Sequence, residues 1–305
     1  MTMAVIRLGY VHVRVTDLAE ARQHYEQTLG MDTVHEENGR TYLKSWDDDD
    51  HHSVVLEEGG VGLVKFGYKV TDDGTLETIE SKVSSFGASC ERMSKGDNAG
   101  VGDGLRITLP SEHVLELYSE VERLGTKVGK LNPDPWPRDL RGIGVPRINH
   151  ALVTTEDPAL LERFFRDVLS FRPAERLVAG DEDSDLVGSW MYCGDQPHDI
   201  AFVKGANGKL HHFAYEIDDW SALLRAGDIM SMDDVPIDFG PARHGITRGG
   251  TIYFFDPSGN RNEVFAGGYR TGPDFRPITW TMDQAARGIN YTHREIDQDF
   301  LRVVT

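Results

Sequence analysis

A chain of 305 residues with 39% hydrophobic content is long enough to bury one or two ordinary cores, and its formal net charge of −18 argues against a nucleic-acid or anionic membrane surface as partner. Two cysteines, Cys90 and Cys193, are too few for a disulfide framework or a thiolate metal site, which points to a reducing cytoplasm. No run approaches the apolar length of a membrane helix, and the N-terminal MTMAVIRLGYVHV lacks a basic region ahead of a signal-length apolar core, so a soluble protein is expected.

From Leu8, LGYVHVRVTDLAEARQHYEQTLGM reads as an extended apolar stretch, an acidic turn and a helix. The acidic run from Asp47 to Asp50, ahead of His51 and His52, mimics a metal site but reads as a solvated loop. From Leu63, LVKFGYKVTDD repeats the strand and acidic turn, and GLRITLPSEHVLELYSE then reads as a hairpin around a Pro-Ser turn. Between Leu124 and Ile148, four prolines and four glycines interrupt any regular pattern, and the segment is expected to run over the surface as a linker. After it the same plan returns, in INHALVTTEDPALLER from Ile148, LHHFAYEIDDWSALLR from Leu210 and the hairpin GTIYFFDPSGNRNEVFAGG from Gly250. The stretch after Thr279 is expected to cover a pocket mouth as a helix.

These segments align on one another without gaps, which defines four modules, each a strand, a helix and several antiparallel strands. The expected fold class is α+β, in two tandem domains of two βαβββ modules each. The expected boundaries are an N-terminal domain at residues 1–125, a linker at 126–146, a C-terminal domain at 147–285 and a tail at 286–305. Paired modules are expected to close into a curved, barrel-like sheet with helices outside and ligands inside.

The alignment places His150 over His212, Pro110 over Pro257 and Glu116 over Glu263. Two histidines and one carboxylate on one face of a metal leave adjacent positions open, an arrangement that non-heme Fe(II) oxygenases use to bind substrate and O₂ together. The ligand set alone does not choose among iron, manganese, zinc and nickel. In the first half the matching positions are Tyr10, Lys65 and Glu116; a protonated lysine cannot ligate a cation, so that half is expected to be metal-free and structural. His211 falls out of register with His150 and is expected to point to the opposite face of its strand. His12, His24, His35, His113 and His293 have no partner in the pattern and are read as structural.

One stretch carries more than the ligand pattern: His244, seven residues, then Ile252-Tyr253-Phe254-Phe255-Asp256-Pro257-Ser258-Gly259-Asn260-Arg261-Asn262-Glu263. It resembles the signature of the type I extradiol ring-cleaving dioxygenases of the vicinal oxygen chelate superfamily, whose fold is shared with glyoxalases, bleomycin-resistance proteins and dihydroxybiphenyl dioxygenases. The resemblance extends over essentially the whole chain, through HDIAFVKG from His198, GPARHGITRGG from Gly240 and the tail PITWTMDQAARGINYTHR. It implies Fe(II) held by His150, His212 and Glu263, with His198 as acid/base near the O₂ position and His244 and Tyr253 hydrogen-bonded to a substrate oxygen. An imidazole suits the first role because its unperturbed pKa is about 6.5. The implied reaction cleaves catechol with O₂ beside its two hydroxyls, giving 2-hydroxymuconate semialdehyde, in a homotetramer without an organic cofactor. Trp190, Thr247, Phe254 and Ile289 are candidates for the substrate pocket. The alternatives on this fold are extradiol cleavage of a bicyclic catechol such as 2,3-dihydroxybiphenyl, or a non-oxygenase role as isomerase, transferase or binding module.

Overall fold

The computed structural model describes residues 5–181 and 185–305. Module one runs β1 (Val5–Val15), α1 (Leu18–Gln27), β2 (Asp32–Glu37), β3 (Arg40–Lys44) and β4 (Val54–Glu58), and module two runs β5 (Gly62–Val70), α2 (Asp73–Phe86), β6 (Ser89–Met93), β7 (Gly104–Thr108) and β8 (Val114–Tyr118). Module three comprises β9 (Arg147–Thr155), α3 (Pro158–Asp167), β10 (Arg172–Val178), β11 (Leu186–Tyr192) and β12 (Ile200–Lys204). Module four comprises β13 (Lys209–Ile217), α4 (Trp220–Met232), β14 (Ile237–Arg243), β15 (Gly249–Phe255) and β16 (Arg261–Gly267). The tail adds β17 (Ile278–Thr281), α5 (Ala285–Ile289) and α6 (Gln298–Arg302). The α+β architecture of four βαβββ modules is thus present as expected.

The acidic turns explain why each module makes a helix where it does. Asp17, Asp72, Asp157 and Asp219 are the N-caps of α1 to α4, and each side chain accepts from a backbone N–H in the first turn, at Glu20, Thr75, Leu160 and Ala222. Such a cap is worth about 1 kcal/mol and fixes the strand-to-helix reversal.

Each half builds one sheet, in the orders β2-β3-β4-β1-β5-β8-β7-β6 and β14-β15-β16-β13-β9-β12-β11-β10-β17. The expected closure into a barrel does not occur in the hydrogen bonding: both orders are linear. The reason lies in the pairing. The last strand of every module returns beside its own first strand in parallel, and the two first strands pair with each other antiparallel. Both neighbours of each first strand are then used, which leaves β2 and β6, or β14 and the tail strand β17, at the free ends. The helices meet between the halves, where Phe86 of α2 packs edge-on against Phe164 of α3 at 5.1 Å and the Tyr25 hydroxyl of α1 donates to Asp256 at 3.1 Å. One buried apolar cluster runs through both halves.

Two further expectations change. The linker is exposed at Leu131 and Trp136 but docks at its end, where Ile143 and Val145 are buried and the Ile143 and Val145 N–H groups donate to Thr28 and Leu29 carbonyls. The acidic run is not a solvated loop, because Asp48, Asp50, His51 and His52 are buried. Its carboxylates are spent on nearby cations: Asp47 on Arg147, Asp49 on Lys130 at 2.6 Å, and Asp50 on Arg7 and on Lys69 at 2.9 Å. Among the described residues no helix is long and apolar enough to cross a membrane.

Candidate metal centre

The antiparallel pair β9·β13 sets His150 and His212 nearly opposite one another, with His212 facing Leu152 and Ala214 facing His150. Strand β16 lies parallel to β13 and aligns Glu263 with Ala214. Three side chains distant in sequence therefore converge: Glu263 Oε2 lies 3.0 Å from His150 Nε2 and 3.1 Å from His212 Nε2, and the two imidazole nitrogens are 3.4 Å apart. Among the described residues this is the one cluster of histidine, cysteine and carboxylate donors close enough to hold a metal ion.

The donors suit a divalent cation. All three are buried, and burial lowers the His212 pKa to about 4, keeping its ring neutral with a lone pair to give. Burial alone would raise the Glu263 pKa, but the surrounding His150, His212 and His244 imidazoles hold it well below the usual carboxylate range, so the carboxylate stays charged. Its second oxygen, Oε1, accepts from the Thr251 hydroxyl at 2.5 Å, which leaves Oε2 directed at the histidines. An isolated buried carboxylate is costly, and a cation among these three donors is what such a charge requires.

His198, from the loop entering β12, stands with its ring centroid 3.9 Å from that of His150. It is buried, and among the described residues its Nδ1 has no hydrogen-bond partner. Burial pushes its pKa well down, so it rests as a neutral base and not as the imidazole near pH 6.5 that sequence alone suggests. On the other side, His244 Nδ1 lies 2.5 Å from the Ile289 carbonyl, which takes its N–H. His244 Nε2 is thereby left to accept the Tyr253 hydroxyl at 2.9 Å. Burial pushes the Tyr253 pKa well above its ordinary value, so the group stays a phenol.

All six residues line one cavity of about 220 Å³, walled by apolar side chains that include Leu152, Leu177, Trp190, Ile246, Met282 and Ile296. Larger clefts elsewhere are edged by charged side chains and hold no such donor set. Trp190, Thr247 and Ile289 line the cavity, whereas Phe254 does not. Strand alternation decides it: Tyr253 faces the cavity, so Phe254 faces the helices and packs in the core near His24. His211 is a second correction, since it lines the cavity beside His212. The strand register slips between Leu210 and His212, so a bulge at His211 breaks the alternation that would have turned it away.

Sequence reasoning missed Leu152, Phe265, Thr251, Asn149 and the tail residue Phe300. The first two stand two positions after His150 and Glu263, so period-two spacing could have found them. Phe300 arrives from a distant segment and left no local signal.

Residues 147–264 match the Glyoxalase/Bleomycin resistance protein/Dioxygenase superfamily, and residues 65–122 match the catechol 2,3-dioxygenase-like N-terminal domain. The chain is 38% identical to a metapyrocatechase from Pseudomonas sp. (strain CF600), with 100% of each chain covered. The chain belongs to the extradiol dioxygenases. It is also 29% identical to a manganese-dependent 2,3-dihydroxybiphenyl 1,2-dioxygenase from Geobacillus genomosp. 3, over 95% of this chain and 94% of that one. Among solved structures, the 2,3-dioxygenase LapB from Pseudomonas sp. KL28 superposes with a TM-score of 0.89 at 40% identity, covering 93% of this chain and 100% of that one. Homoprotocatechuate 2,3-dioxygenase from Arthrobacter globiformis gives a TM-score of 0.89 at 26% identity, covering 100% of this chain and 92% of that one. Extradiol dioxygenases are metal-dependent enzymes, and the cluster of His150, His212 and Glu263 is a possible metal site of that kind.

Proposed function

We propose that this chain cleaves catechol, and substituted catechols of similar size, with O₂ to a 2-hydroxymuconate semialdehyde at an Fe(II) held by His150, His212 and Glu263. The observation that carries the reading is the convergence of those three donors at the base of an apolar cavity with His198 on one side and the His244–Tyr253 pair on the other. Full-length similarity to a metapyrocatechase supports the substrate. Ferrous iron would supply adjacent positions in which diol and O₂ meet. Manganese(II) suits the same donors, and we assign iron on the family resemblance.

The chain's own residues account for the proton movements. His198 rests neutral with a free Nδ1 and is the base for a substrate hydroxyl, returning the proton to the leaving oxygen later. Tyr253 stays protonated; its single O–H, which His244 Nε2 accepts in the free site, turns to the developing oxyanion on the opposite side once substrate is bound, and the Ile289 carbonyl fixes the orientation of His244. Trp190, Leu177 and Ile246 exclude water from this exchange. Thr247 and the Ile289 side chain complete the wall.

A cavity of about 220 Å³ lies below the roughly 300–1,000 Å³ common for ligand pockets, which favours one ring over two. We further assign residues 1–125 as a structural domain, 126–146 as the linker, 147–285 as the catalytic domain and 286–305 as its cover. The cytoplasmic setting rests on two free cysteines, one of them buried, and the homotetramer rests on the resemblance.

The test is anaerobic reconstitution with Fe(II), then addition of catechol and air. A yellow product with one O₂ consumed per catechol is the expected result; failure to bind iron, or iron bound with colourless catechol, would overturn the reading.

A further inference from the structure

Each proposed ligand histidine is preceded by a residue that the backbone turns toward it. The register of β9 against β13 slips twice, at His211, between the pairs Leu210↔Val153 and His212↔Leu152, and at Asn149, between Ala214↔His150 and Tyr215↔Ile148. These are equivalent positions of the repeat. A bulge at each sets the side chain on the same side as the following histidine. Asn149 Oδ1 lies 2.6 Å from His150 Nδ1, and His211 Nδ1 lies 2.7 Å from His212 Nδ1.

The hydrogen-bond directions follow from the outer partners. Asn149 Nδ2 donates to Gln196 Oε1 at 2.8 Å, so Asn149 Oδ1 faces His150 as an acceptor. His211 Nε2 lies 2.8 Å from the Phe300 carbonyl, which takes a proton only from an N–H, so Nδ1 of the neutral His211 ring carries the lone pair. Arg261 Nη1 also approaches His211 Nε2, at 3.2 Å, but it donates at 2.8 Å to the Val303 carbonyl and leaves the shorter Phe300 contact in control. Both ligand histidines then carry their proton on Nδ1 and leave the Nε2 lone pair for a cation held together with Glu263. The first half keeps bulges at the same repeat positions, but Gly9 and Val64 occupy them and offer no acceptor side chain.

We propose that Asn149 and His211 are a matched pair of positioning residues that hold His150 and His212 in the metal-binding tautomer, and that the tail reaches the metal site through the Phe300 carbonyl and His211. This rests on the metal reading given above. Outer hydrogen bonds of this kind typically tune metal affinity by about 10–100-fold.

The test titrates Co(II) into the metal-free full-length protein against a competing chelator, with the thermal midpoint of each apo variant as the folding control. His211→Phe keeps the ring packed on Phe300 but removes the acceptor, and is expected to weaken Co(II) by at least about tenfold. His211→Asn loses the ring but restores an acceptor at the Nδ1 position, and is expected to stay within about threefold of wild type on the same argument. A merely packing role predicts the reverse order. Asn149→Leu against Asn149→Asp repeats the contrast independently, with Leu weak and Asp close to wild type. Wild-type protein that binds no Co(II) would overturn the metal reading and this inference together. Wild-type binding with the Phe and Leu variants unweakened, or with the Asn and Asp variants equally weakened, would overturn this inference alone.

Discussion

Replacing Lys65 by Met should destabilise the first half without touching the second. The Glu116 carboxylate is fully buried at the position that Glu263 holds in the second half. Its Oε1 takes Lys65 Nζ at 2.8 Å and Arg106 Nη2 and Nε at 2.7 and 2.9 Å, and its Oε2 takes the Tyr10 hydroxyl. Stripping the partner from a buried charge costs roughly 3–5 kcal/mol when nothing else compensates it. Here Arg106 remains, but its side chain is 32% exposed against 8% for Lys65, so solvent screens the cation that is left. A loss of about 1.5–3 kcal/mol is therefore expected. Adding Glu116→Gln removes the charge that needed a partner, while Arg106 keeps Glu91 at 2.9 Å, so the double variant should recover at least half of the loss. Urea unfolding of the apo proteins, followed by far-ultraviolet circular dichroism, measures both, and a Co(II) titration should return wild-type affinity throughout. A single variant costing less than about 0.5 kcal/mol, or a double variant no better than the single, would refute the account of Lys65 as a built-in counter-charge.

Acid should weaken the fold through histidines outside the metal site. Burial lowers the pKa of His24 and of His113 to about 4, so between pH 6.5 and 4 the unfolded chain binds protons that the folded chain refuses, and stability falls as pH falls. From pH 7 to 5 each contributes a loss of up to about 2 kcal/mol, at about 1.4 kcal/mol per unit. His113→Gln should remove one such share from the urea midpoint's pH dependence, and an unchanged slope would show that His113 does not stay neutral. In the cavity, Leu177→Ala with Met282→Ala opens the apolar wall and should raise kcat/KM for 2,3-dihydroxybiphenyl relative to catechol by about tenfold. A steady-state substrate panel reads it, and an unchanged ratio would place the size limit elsewhere.

The sequence made legible what local pattern controls and missed what pairing controls. Asp17, Asp72, Asp157 and Asp219 announce four helix starts because an N-cap acts within a few residues. His150, His212 and Glu263 were readable because repetition puts them at matched positions, and the sheet then brings them within 3.4 Å of one another. Phe254 and His211 were misplaced for opposite reasons: one obeys strand alternation and so turns into the core, the other sits on a bulge and escapes it. A bulge is a property of the strand pair, so a single strand's sequence does not reveal it. The open sheet order likewise depends on which strands return beside β1, β5, β9 and β13, a choice made by tertiary packing.

The two halves solve one electrostatic problem in two ways. Each buries a glutamate on the last strand of its second module, Glu116 on β8 and Glu263 on β16, and each surrounds it with side chains from the paired first strands. In the first half the cation is covalently part of the chain, as Lys65, and pairs directly with the buried Glu116. In the second, His150 and His212 replace Tyr10 and Lys65 and supply no fixed cation, so a metal ion would be the carboxylate's counter-charge and the donors stay exchangeable. The same backbone therefore gives a fixed, structural ion pair in one half and a site able to take up a metal in the other. Lysine against histidine at positions 65 and 212 is the substitution on which that difference turns.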